Sequence, residues 1–261
     1  MDNEVIKKSA QQILGLIDLT SLNNDDTIAN IDKLCEQART HHGNVAAICI
    51  YPQFIKHARV KLNNLSLSNL PIATVVNFPS GNESIENVST QTTQAIHDGA
   101  DEIDLVVPYQ DIIQGNLDSS KNMVHKIAQI CHEHNVILKV IIESGVLQQE
   151  ELIRQASLLS IENGADFIKT STGKVAINAT LQAATIMLSV IRDTGGKCGF
   201  KAAGGVRLTS EAMPYLEIAR ELLGDDYVKS QTFRFGASSL LSDVLAVLDD
   251  KVLVTQNPLS Y

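Results

Sequence analysis

Eight short apolar stretches, rich in β-branched residues, recur along the chain at intervals of about 30 residues. Their length and their almost unbroken apolar character are typical of strands that are buried on both faces of a parallel sheet. The eight predicted strands cover Leu14–Leu19, Val45–Tyr51, Ile72–Phe78, Glu102–Val107, Val136–Glu143, Phe167–Thr170, Gly199–Ala203 and Phe233–Gly236.

The segments between these strands carry apolar residues at helical spacing. The clearest start and stop signals predict helices over Asn23–Arg39, Glu83–His97, Leu147–Glu162 and Asn178–Arg192. Gly99, Gly164 and Gly195 follow the last three of these segments, and glycine commonly ends a helix. The first two of these glycines precede an Ala-Asp pair and then a strand, so each helix passes directly into the next strand.

Regular alternation of strands and helices predicts an α/β protein with a parallel sheet covered by helices. Eight such units in 261 residues favour a closed (β/α)8 TIM barrel. A doubly wound open sheet is the alternative, but no G-x-G-x-x-G motif follows the first strand. We therefore predict one domain over residues 1–261, with an N-terminal helix within residues 1–13 and a loose tail at 251–261.

Composition narrows the class of partner. A net charge of −9, with no basic cluster, argues against nucleic-acid binding, and no apolar run approaches the length of a membrane span. The acidic N-terminus lacks a secretion signal, and the four scattered cysteines are typical of reduced thiols, so we expect a cytoplasmic location. The histidine spacings match no metal motif, and we predict neither a metal nor a cofactor.

Polar side chains interrupt several of the apolar strands. Lys139, Lys169 and Lys201 lie inside three of them, although burying a charge is costly unless the charge is paired or used. Two aspartates and a cysteine lie in three further strands: Asp18, Asp104 and Cys49. Because polar residues at the carboxyl ends of barrel strands converge on one site, we expect these six side chains to meet there. A purely structural ion network is the alternative.

Paired lysines indicate amine chemistry. A lysine is nucleophilic only when neutral, and both apolar burial and a neighbouring cation lower its pKa. Lys169 and Lys201 lie on adjacent predicted strands and would form such a pair. Asp18 and Asp104 would hold or relay protons and balance the remaining positive charge.

Glycines and cations after the last three strands predict a phosphate site. Backbone N–H groups in glycine loops can approach an anion closely, and the loops after the last strands of a barrel often bind phosphate. Singly, Ser238 is explained as a helix N-cap and the Gly204-Gly205 pair as a tight turn. Together we predict that these loops bind phosphate through Gly173, Lys174, Gly204, Gly205, Arg207, Gly236, Ser238 and Ser239.

Six motifs in this chain closely resemble the 2-deoxy-D-ribose-5-phosphate aldolase family, in its enterobacterial-type branch. They are F-I-K-T-S-T-G-K, G-F-K-A-A-G-G-V-R, D-E-I-D-L-V, V-A-A-I-C-I-Y-P, N-F-P-S-G and R-F-G-A-S-S-L, and the resemblance extends from Leu14 to Leu248. It implies a class I, Schiff-base aldolase on a TIM barrel. The implied reaction is the reversible cleavage of 2-deoxyribose 5-phosphate to acetaldehyde and glyceraldehyde 3-phosphate, without a metal.

The resemblance also implies roles for individual residues. Lys169 corresponds to the Schiff-base lysine, and Lys201 to the neighbour that lowers its pKa. Asp104 corresponds to the acid that moves protons with the help of an ordered water. The eight residues of the predicted phosphate loops match the family's phosphate positions.

Four further positions carry weaker implications. Asp18 and Lys139 match other polar residues of the site, Cys49 a thiol beside the aldehyde pocket, and Tyr261 a tail tyrosine that helps to move the donor-carbon proton. One position departs from the family, because Ala202 stands where proline usually follows the second lysine. Losing proline frees one backbone angle, so we expect a changed rate or stability before a changed reaction.

Two other functions stay open at this point. Another class I sugar-phosphate aldolase, such as a transaldolase, would share the lysine, the barrel and the phosphate loops but use a different donor. A sugar-phosphate-binding barrel without turnover would bind the substrate but form no imine. The sequence leaves the oligomeric state open, although members of the family that it resembles are often homodimers.

Overall fold

The computed structural model describes residues 3–251 and confirms the predicted (β/α)8 barrel. Eight parallel strands close into a ring in which each strand pairs with the next along the chain, and the last pairs with the first. The barrel strands are β1 Ile17–Ser21, β2 Ala47–Ile50, β3 Ile72–Val76, β4 Glu102–Val106, β5 Ile137–Ile141, β6 Phe167–Lys169, β7 Gly199–Ala203 and β8 Phe233–Ala237. Tyr261 lies outside the described residues.

Helices cover the outside of this ring. They are α1 Asn3–Leu14, α2 Ile28–Gln37, α3 Ile55–Asn64, α4 Ile85–His97, α5 Tyr109–Ile113, α6 Leu117–Glu133, α7 Ser144–Leu147, α8 Glu150–Glu162, α9 Leu181–Asp193, α10 Thr209–Leu223 and α11 Leu240–Leu248. In the part of the chain that the structure describes, no helix is long and apolar enough to cross a bilayer.

Some predicted element boundaries were wrong. Leu14 ends α1 instead of beginning the first strand, which starts at Ile17. Glu143 was predicted within the fifth strand but lies beyond it with a positive φ of 54°, where it precedes the short helix α7. Apolar character alone does not separate a buried helix end from a strand, so these errors fall where the two elements adjoin.

The Gly-Ala-Asp repeats have a shared structural role. Gly99 and Gly164 both follow a helix end with a positive φ, as the sequence predicts. Asp101 Oδ2 then accepts a hydrogen bond of 2.7 Å from the N–H of Ile72, and Asp166 Oδ2 one of 2.8 Å from Leu138. Each aspartate thus ties the start of its own strand to the start of the preceding strand.

The barrel interior has an apolar side and a charged side. Cys49, Ala73 and Val75 of β2 and β3 form a small buried cluster with Leu22, separate from the main core between the sheet and the helices. The strands on the other side direct charged groups inwards. Position 199, at the start of β7, has to be glycine, because a Cβ there would lie 2.5 Å from the Phe167 ring.

A short hairpin outside the barrel was not predicted. Its two strands, Arg39–Thr40 and Gly43–Asn44, pair antiparallel between α2 and β2. The turn holds His41 and His42, and Gly43 has a φ of 131°. Each strand has only two residues, which is too short for an alternating hydrophobic pattern to indicate a strand.

Candidate active site

Seven ionisable side chains from six strands meet inside the barrel. Because side chains alternate between the two faces of a strand, the charged positions of β4, two residues apart, both point inwards. All seven are buried: Asp18, Glu102, Asp104, Lys139, Lys169, Lys201 and Arg234.

Asp104 is the hub of this network. Its Oδ2 accepts hydrogen bonds of 2.8 Å from both Lys169 Nζ and Lys201 Nζ, and its Oδ1 accepts one of 3.0 Å from Lys139 Nζ. Because Lys169 Nζ and Lys201 Nζ both bond this one oxygen, the two side-chain nitrogens lie close together. The predicted convergence of the three lysines on Asp104 is present in the structure.

The rest of the network continues through Asp18. Its Oδ2 lies 2.6 Å from Lys201 Nζ, and its Oδ1 accepts a hydrogen bond of 2.5 Å from an Arg234 terminal nitrogen. The other terminal nitrogen of Arg234 donates to Glu102 at 3.0 Å, and Glu102 also accepts from Lys139. Glu102 and Arg234 were not predicted as site residues, although both are charged residues within apolar strands and carry the same signal as the three lysines.

Charge counting singles out Lys169. Three carboxylates face four cations in this network, so the loss of one proton would balance the charges. Burial lowers the pKa of Lys169, the nearby Lys201 lowers it further, and Asp104 opposes them only in part. Among the buried lysines of the described residues, this is the only one whose pKa falls, which fits the predicted role of an amine that becomes neutral.

The other two lysines are held as cations. Burial alone would lower the pKa of Lys201, but Asp104 and Asp18 outweigh it and the pKa rises. The pKa of Lys139 rises in the same way, through Asp104 and Glu102. Because Lys201 stays charged, its positive charge lowers the pKa of Lys169 and favours the neutral amine there.

The two aspartates are carboxylates at neutral pH. Burial would raise the pKa of Asp104, but Lys139, Lys169 and Lys201 hold it well below the usual range. The pKa of Asp18 is likewise lowered, by Lys201 and by two further cations, against the effect of burial. Asp104 is therefore ionised where it accepts the hydrogen bond of Lys169.

A cavity of about 470 Å³ opens above Lys169 at the carboxyl ends of the strands. Lys169 is the only one of the seven network residues that lines it. Every residue predicted to bind phosphate also lines it: Gly173, Lys174, Gly204, Gly205, Arg207, Gly236, Ser238 and Ser239. The N-cap of α11 is Ser239 and not Ser238, so the cavity borders the N-terminus of that helix, which favours negative charge.

The loop after β1 also lines the cavity and was not predicted. Lys174 Nζ donates a hydrogen bond of 2.5 Å to the carbonyl of Leu22 in this loop. Asp26 also lines the cavity, where both of its carboxylate oxygens accept from the Ser21 hydroxyl at 2.8 Å. Chain order gives no sign that this loop faces the loop after β6, because 152 residues separate the joined positions.

Two glycines of the cavity are needed for close contacts. Gly204 has a φ of 79°, and a Cβ there would lie 2.8 Å from the side chain of Asn178. A Cβ at Gly236 would lie 3.0 Å from Lys201 Cε and from the Ala203 side chain. Glycine therefore avoids a clash with Asn178 at position 204 and a tight contact with Lys201 and Ala203 at position 236.

Glu143 is a further buried residue that sequence reasoning missed. Its carboxylate accepts hydrogen bonds from the Thr172 hydroxyl at 2.6 Å and from the Thr172 N–H at 3.2 Å. The Thr172 hydroxyl in turn accepts a bond of 3.1 Å from the N–H of Lys174. Burial raises the pKa of Glu143. These bonds fix the loop that carries Lys174 over the cavity.

Cys49 lies on the apolar side of the interior and is fully buried. Burial raises the pKa of its thiol, with the nearby lysines opposing the change. The thiol is therefore protonated at neutral pH and is a weak nucleophile. Its predicted place beside an aldehyde pocket stays a prediction.

The sequence matches the DeoC/LacD family aldolase over residues 12–242. The chain belongs to this family. It is accordingly an aldolase, a lyase that makes or breaks a carbon–carbon bond.

Solved structures show the same fold. An apo-form structure from Toxoplasma gondii ME49, assigned as a deoxyribose-phosphate aldolase, has a TM-score of 0.85 at 22% identity and covers 95% of this chain and 98% of its own. A deoxyribose phosphate aldolase from Aeropyrum pernix, described as a tetramer, has a TM-score of 0.76 at 19% identity, covering 94% and 98%. An aldolase named QR15 has a TM-score of 0.73 at 26% identity, covering 93% and 98%.

Proposed function

We propose that this aldolase reversibly cleaves 2-deoxy-D-ribose 5-phosphate to acetaldehyde and D-glyceraldehyde 3-phosphate through a Schiff base on Lys169. The reaction would serve the breakdown of deoxynucleosides and deoxyribose in the cytoplasm. One observation carries the proposal: Lys169 is the buried lysine that both lines the cavity and has a lowered pKa. The names of the similar solved structures support the choice of substrate.

The cavity suits a short sugar with a phosphate at one end. The glycine loops, Lys174 and Arg207 line it together with Lys169, whose side chain is buried. A phosphate bound at the loops would leave the aldehyde carbon of the open-chain sugar near Lys169. Since the phosphate is remote from the bond that breaks, its contacts supply mainly orientation.

Chemistry begins at the nitrogen of Lys169. The neutral amine attacks the aldehyde carbon, and loss of water from the carbinolamine gives a protonated imine. The imine draws electrons from the bond between C2 and C3 as the C3 hydroxyl gives up its proton, which releases glyceraldehyde 3-phosphate. The enamine left on Lys169 takes up a proton at C2 and is hydrolysed to acetaldehyde.

Asp104 is placed to move these protons. It is a carboxylate, and its Oδ2 is hydrogen-bonded to Lys169 Nζ. It can therefore accept a proton from the attacking amine and return it to the carbinolamine hydroxyl. Lys201, bonded to the same oxygen, keeps a positive charge beside the nitrogen throughout. The apolar cluster of Cys49, Ala73 and Val75 lies in the same interior and suits a methyl group.

Reductive trapping tests the assignment of Lys169. Incubation with acetaldehyde and borohydride should add one ethyl group, and peptide mass spectrometry should place it on Lys169. Lys169→Arg should take up none, whereas Lys139→Arg should still be modified at Lys169. An ethyl group on another lysine, or on none, would refute the Schiff-base assignment.

Donor specificity tests the substrate. We expect release of glyceraldehyde 3-phosphate from deoxyribose 5-phosphate in a coupled assay, and condensation with acetaldehyde in the reverse direction. Dihydroxyacetone phosphate should not replace acetaldehyde as donor. If it does, the protein is a different class I aldolase on the same network.

A further inference from the structure

We propose that His41, His42 and Asp249 form a surface binding site for a divalent transition metal of the zinc type. The three side chains come from the hairpin turn and from the residue that directly follows α11. Their candidate ligand atoms all lie within 4.8 Å of one another. None of the three residues lines the cavity above Lys169, so this site is separate from the proposed aldolase chemistry.

The geometry is convergent. His41 Nε2 and His42 Nε2 each lie 2.8 Å from the same oxygen, Asp249 Oδ1. The ring centroids of the two histidines are 4.0 Å apart. In a tetrahedral site with metal–ligand distances of about 2.0–2.1 Å, neighbouring ligand atoms are a little more than 3 Å apart. Small side-chain adjustments would therefore let one cation contact all three atoms.

Two imidazoles and one carboxylate are a donor set that zinc and its neighbours in the first transition series accept. As the structure stands, each contact to Asp249 is a hydrogen bond through Nε2. A bound cation would replace those two hydrogen bonds. Each Nε2 would give up the proton that it donates to Asp249, and a ring that stays neutral would then carry its proton on Nδ1. The remaining coordination position faces solvent, because the His41 side chain is 68% exposed, and water would fill it.

The backbone around these side chains is already fixed. The N–H of His42 donates a bond of 3.1 Å to the Thr40 hydroxyl, and its carbonyl accepts one of 3.0 Å from the Gln11 side chain. The N–H of Asp249 donates to the Leu245 carbonyl at 2.9 Å. The backbone of the site is thus held before any metal arrives, which reduces the ordering that binding requires.

Nearby charges do not block the site. Lys251 Nζ lies 2.9 Å from the other carboxylate oxygen of Asp249, and leaves Oδ1 to the histidines. Asp250 is paired with Lys7 of α1. A metal here would join the hairpin to the end of α11, whose first turn borders the cavity, so we assign it a structural role. Sequence spacing could not reveal the site, because Asp249 follows the histidines by more than 200 residues.

Calorimetric titration of the full-length protein with Zn²⁺ tests this site. We expect one binding event per chain, weakened at least about tenfold in each of His41→Ala, His42→Ala and Asp249→Asn. The matched control is His132→Ala, which removes a single surface histidine paired with Asp166 at 3.0 Å and should bind as the parent does. Because His41 is exposed, its replacement should not affect folding.

Thermal unfolding gives a second measurement. Zn²⁺ should raise the Tm of the parent and of His132→Ala, but not that of His41→Ala, and a chelator should reverse the rise. The kcat for the aldol reaction should not change on metal binding. Absence of a binding event, or equal binding by the parent and the His41→Ala variant, would overturn the proposal. Neither result would bear on the role of Lys169.

Discussion

Lys169 and Lys201 are directly paired in register across β6 and β7, and their Nζ atoms donate to the same oxygen of Asp104. The strand pairing brings the two buried lysines together inside the barrel. One of them, Lys169, faces an excess of positive charge, while the other is fixed by two carboxylates. A pair of identical side chains thereby acquires two different chemical characters.

Neutralising Lys201 should reduce the reactivity of Lys169. In Lys201→Met, the pKa of Lys169 should rise because the cation that lowers it is gone and Asp104 has one counter-charge fewer. We expect reductive trapping at pH 7 to slow by about 10²-fold. In a plot of trapping rate against pH, the fall in rate on the acid side (the acid limb) should move to higher pH. Lys201→Arg keeps the charge and should leave the acid limb close to that of the parent. Equal profiles for all three proteins would contradict this account.

Replacing Asp104 by asparagine should separate nucleophilicity from turnover. Asp104 raises the pKa of Lys169, so in Asp104→Asn the pKa of Lys169 should fall further and the amine should be neutral at lower pH. Turnover should nevertheless fall by about 10²–10⁴-fold, because the proton acceptor is lost. Rates of cleavage measured against pH, with trapping in parallel, would show the two effects. Unchanged turnover would exclude Asp104 from proton transfer.

Alanine at two cavity glycines should have unequal effects. Gly204→Ala would place a Cβ 2.8 Å from Asn178 on a backbone with a φ of 79°. Gly173→Ala has a similar φ of 83° but no atom within 4 Å of the new Cβ. We expect both variants to lose stability, and Gly204→Ala to raise the KM for the phosphorylated sugar by at least about tenfold more than Gly173→Ala. The KM of each variant for the phosphorylated sugar tests this difference, and the Tm of each variant measures its loss of stability.

Removing the Thr172 hydroxyl should affect phosphate binding. In Thr172→Val the hydroxyl's bond to Glu143 and the bond from the Lys174 N–H are both lost, while the Thr172 N–H still donates to Glu143, and the loop over the cavity loosens. We expect a KM for deoxyribose 5-phosphate that is about tenfold higher, with a much smaller change for unphosphorylated deoxyribose. Thr172→Ser keeps the hydroxyl and serves as the control. The same change with both sugars would argue against an effect through the phosphate.

Stability should decline in acid through the buried carboxylates. The pKa of Asp18 is lower in the folded chain than in the unfolded one, so the unfolded state takes up its proton first as pH falls. The stabilisation from Asp18 is complete above the unfolded pKa, near 4, and is lost as pH falls through the folded pKa. Asp18→Asn should therefore be less stable than the parent by about 3–5 kcal/mol at pH 7, and this difference should shrink below pH 4.

Denaturant unfolding at several pH values measures this difference. Asp193→Asn is the matched control, since that aspartate lies on the surface beside Arg192 and has an exposed side chain. It should follow the parent at every pH. A constant difference between Asp18→Asn and the parent from pH 7 to pH 2 would contradict the proposed linkage.

The barrel and most of its ionic centre could be predicted from the sequence. Lys139, Lys169 and Lys201 are conspicuous because charges are rare within apolar strands, and the strand order then places them on neighbouring positions. Glu102 and Arg234 carry the same signal and were overlooked. The positions of the phosphate-loop residues along the cavity also follow from the barrel, since all of those loops leave its carboxyl end.

Other features depend on contacts between distant parts of the chain. Glu143 was assigned to a strand, because its left-handed backbone conformation leaves no mark on the hydrophobic pattern. The contact between Lys174 and Leu22 depends on how two loops fold over the opening. The cluster of His41, His42 and Asp249 forms only once the hairpin packs beside α11.

Arg234 reaches from β8 to Asp18 on the adjacent strand and to Glu102 on the opposite side of the ring. No one of these three strands can detach without leaving an uncompensated charge in a dry interior, where it is strongly disfavoured. Partial opening of the sheet is therefore suppressed. The amide protons of β1, β4 and β8 should exchange with solvent deuterium together, on the timescale of global unfolding, and the barrel should come apart as a single cooperative unit.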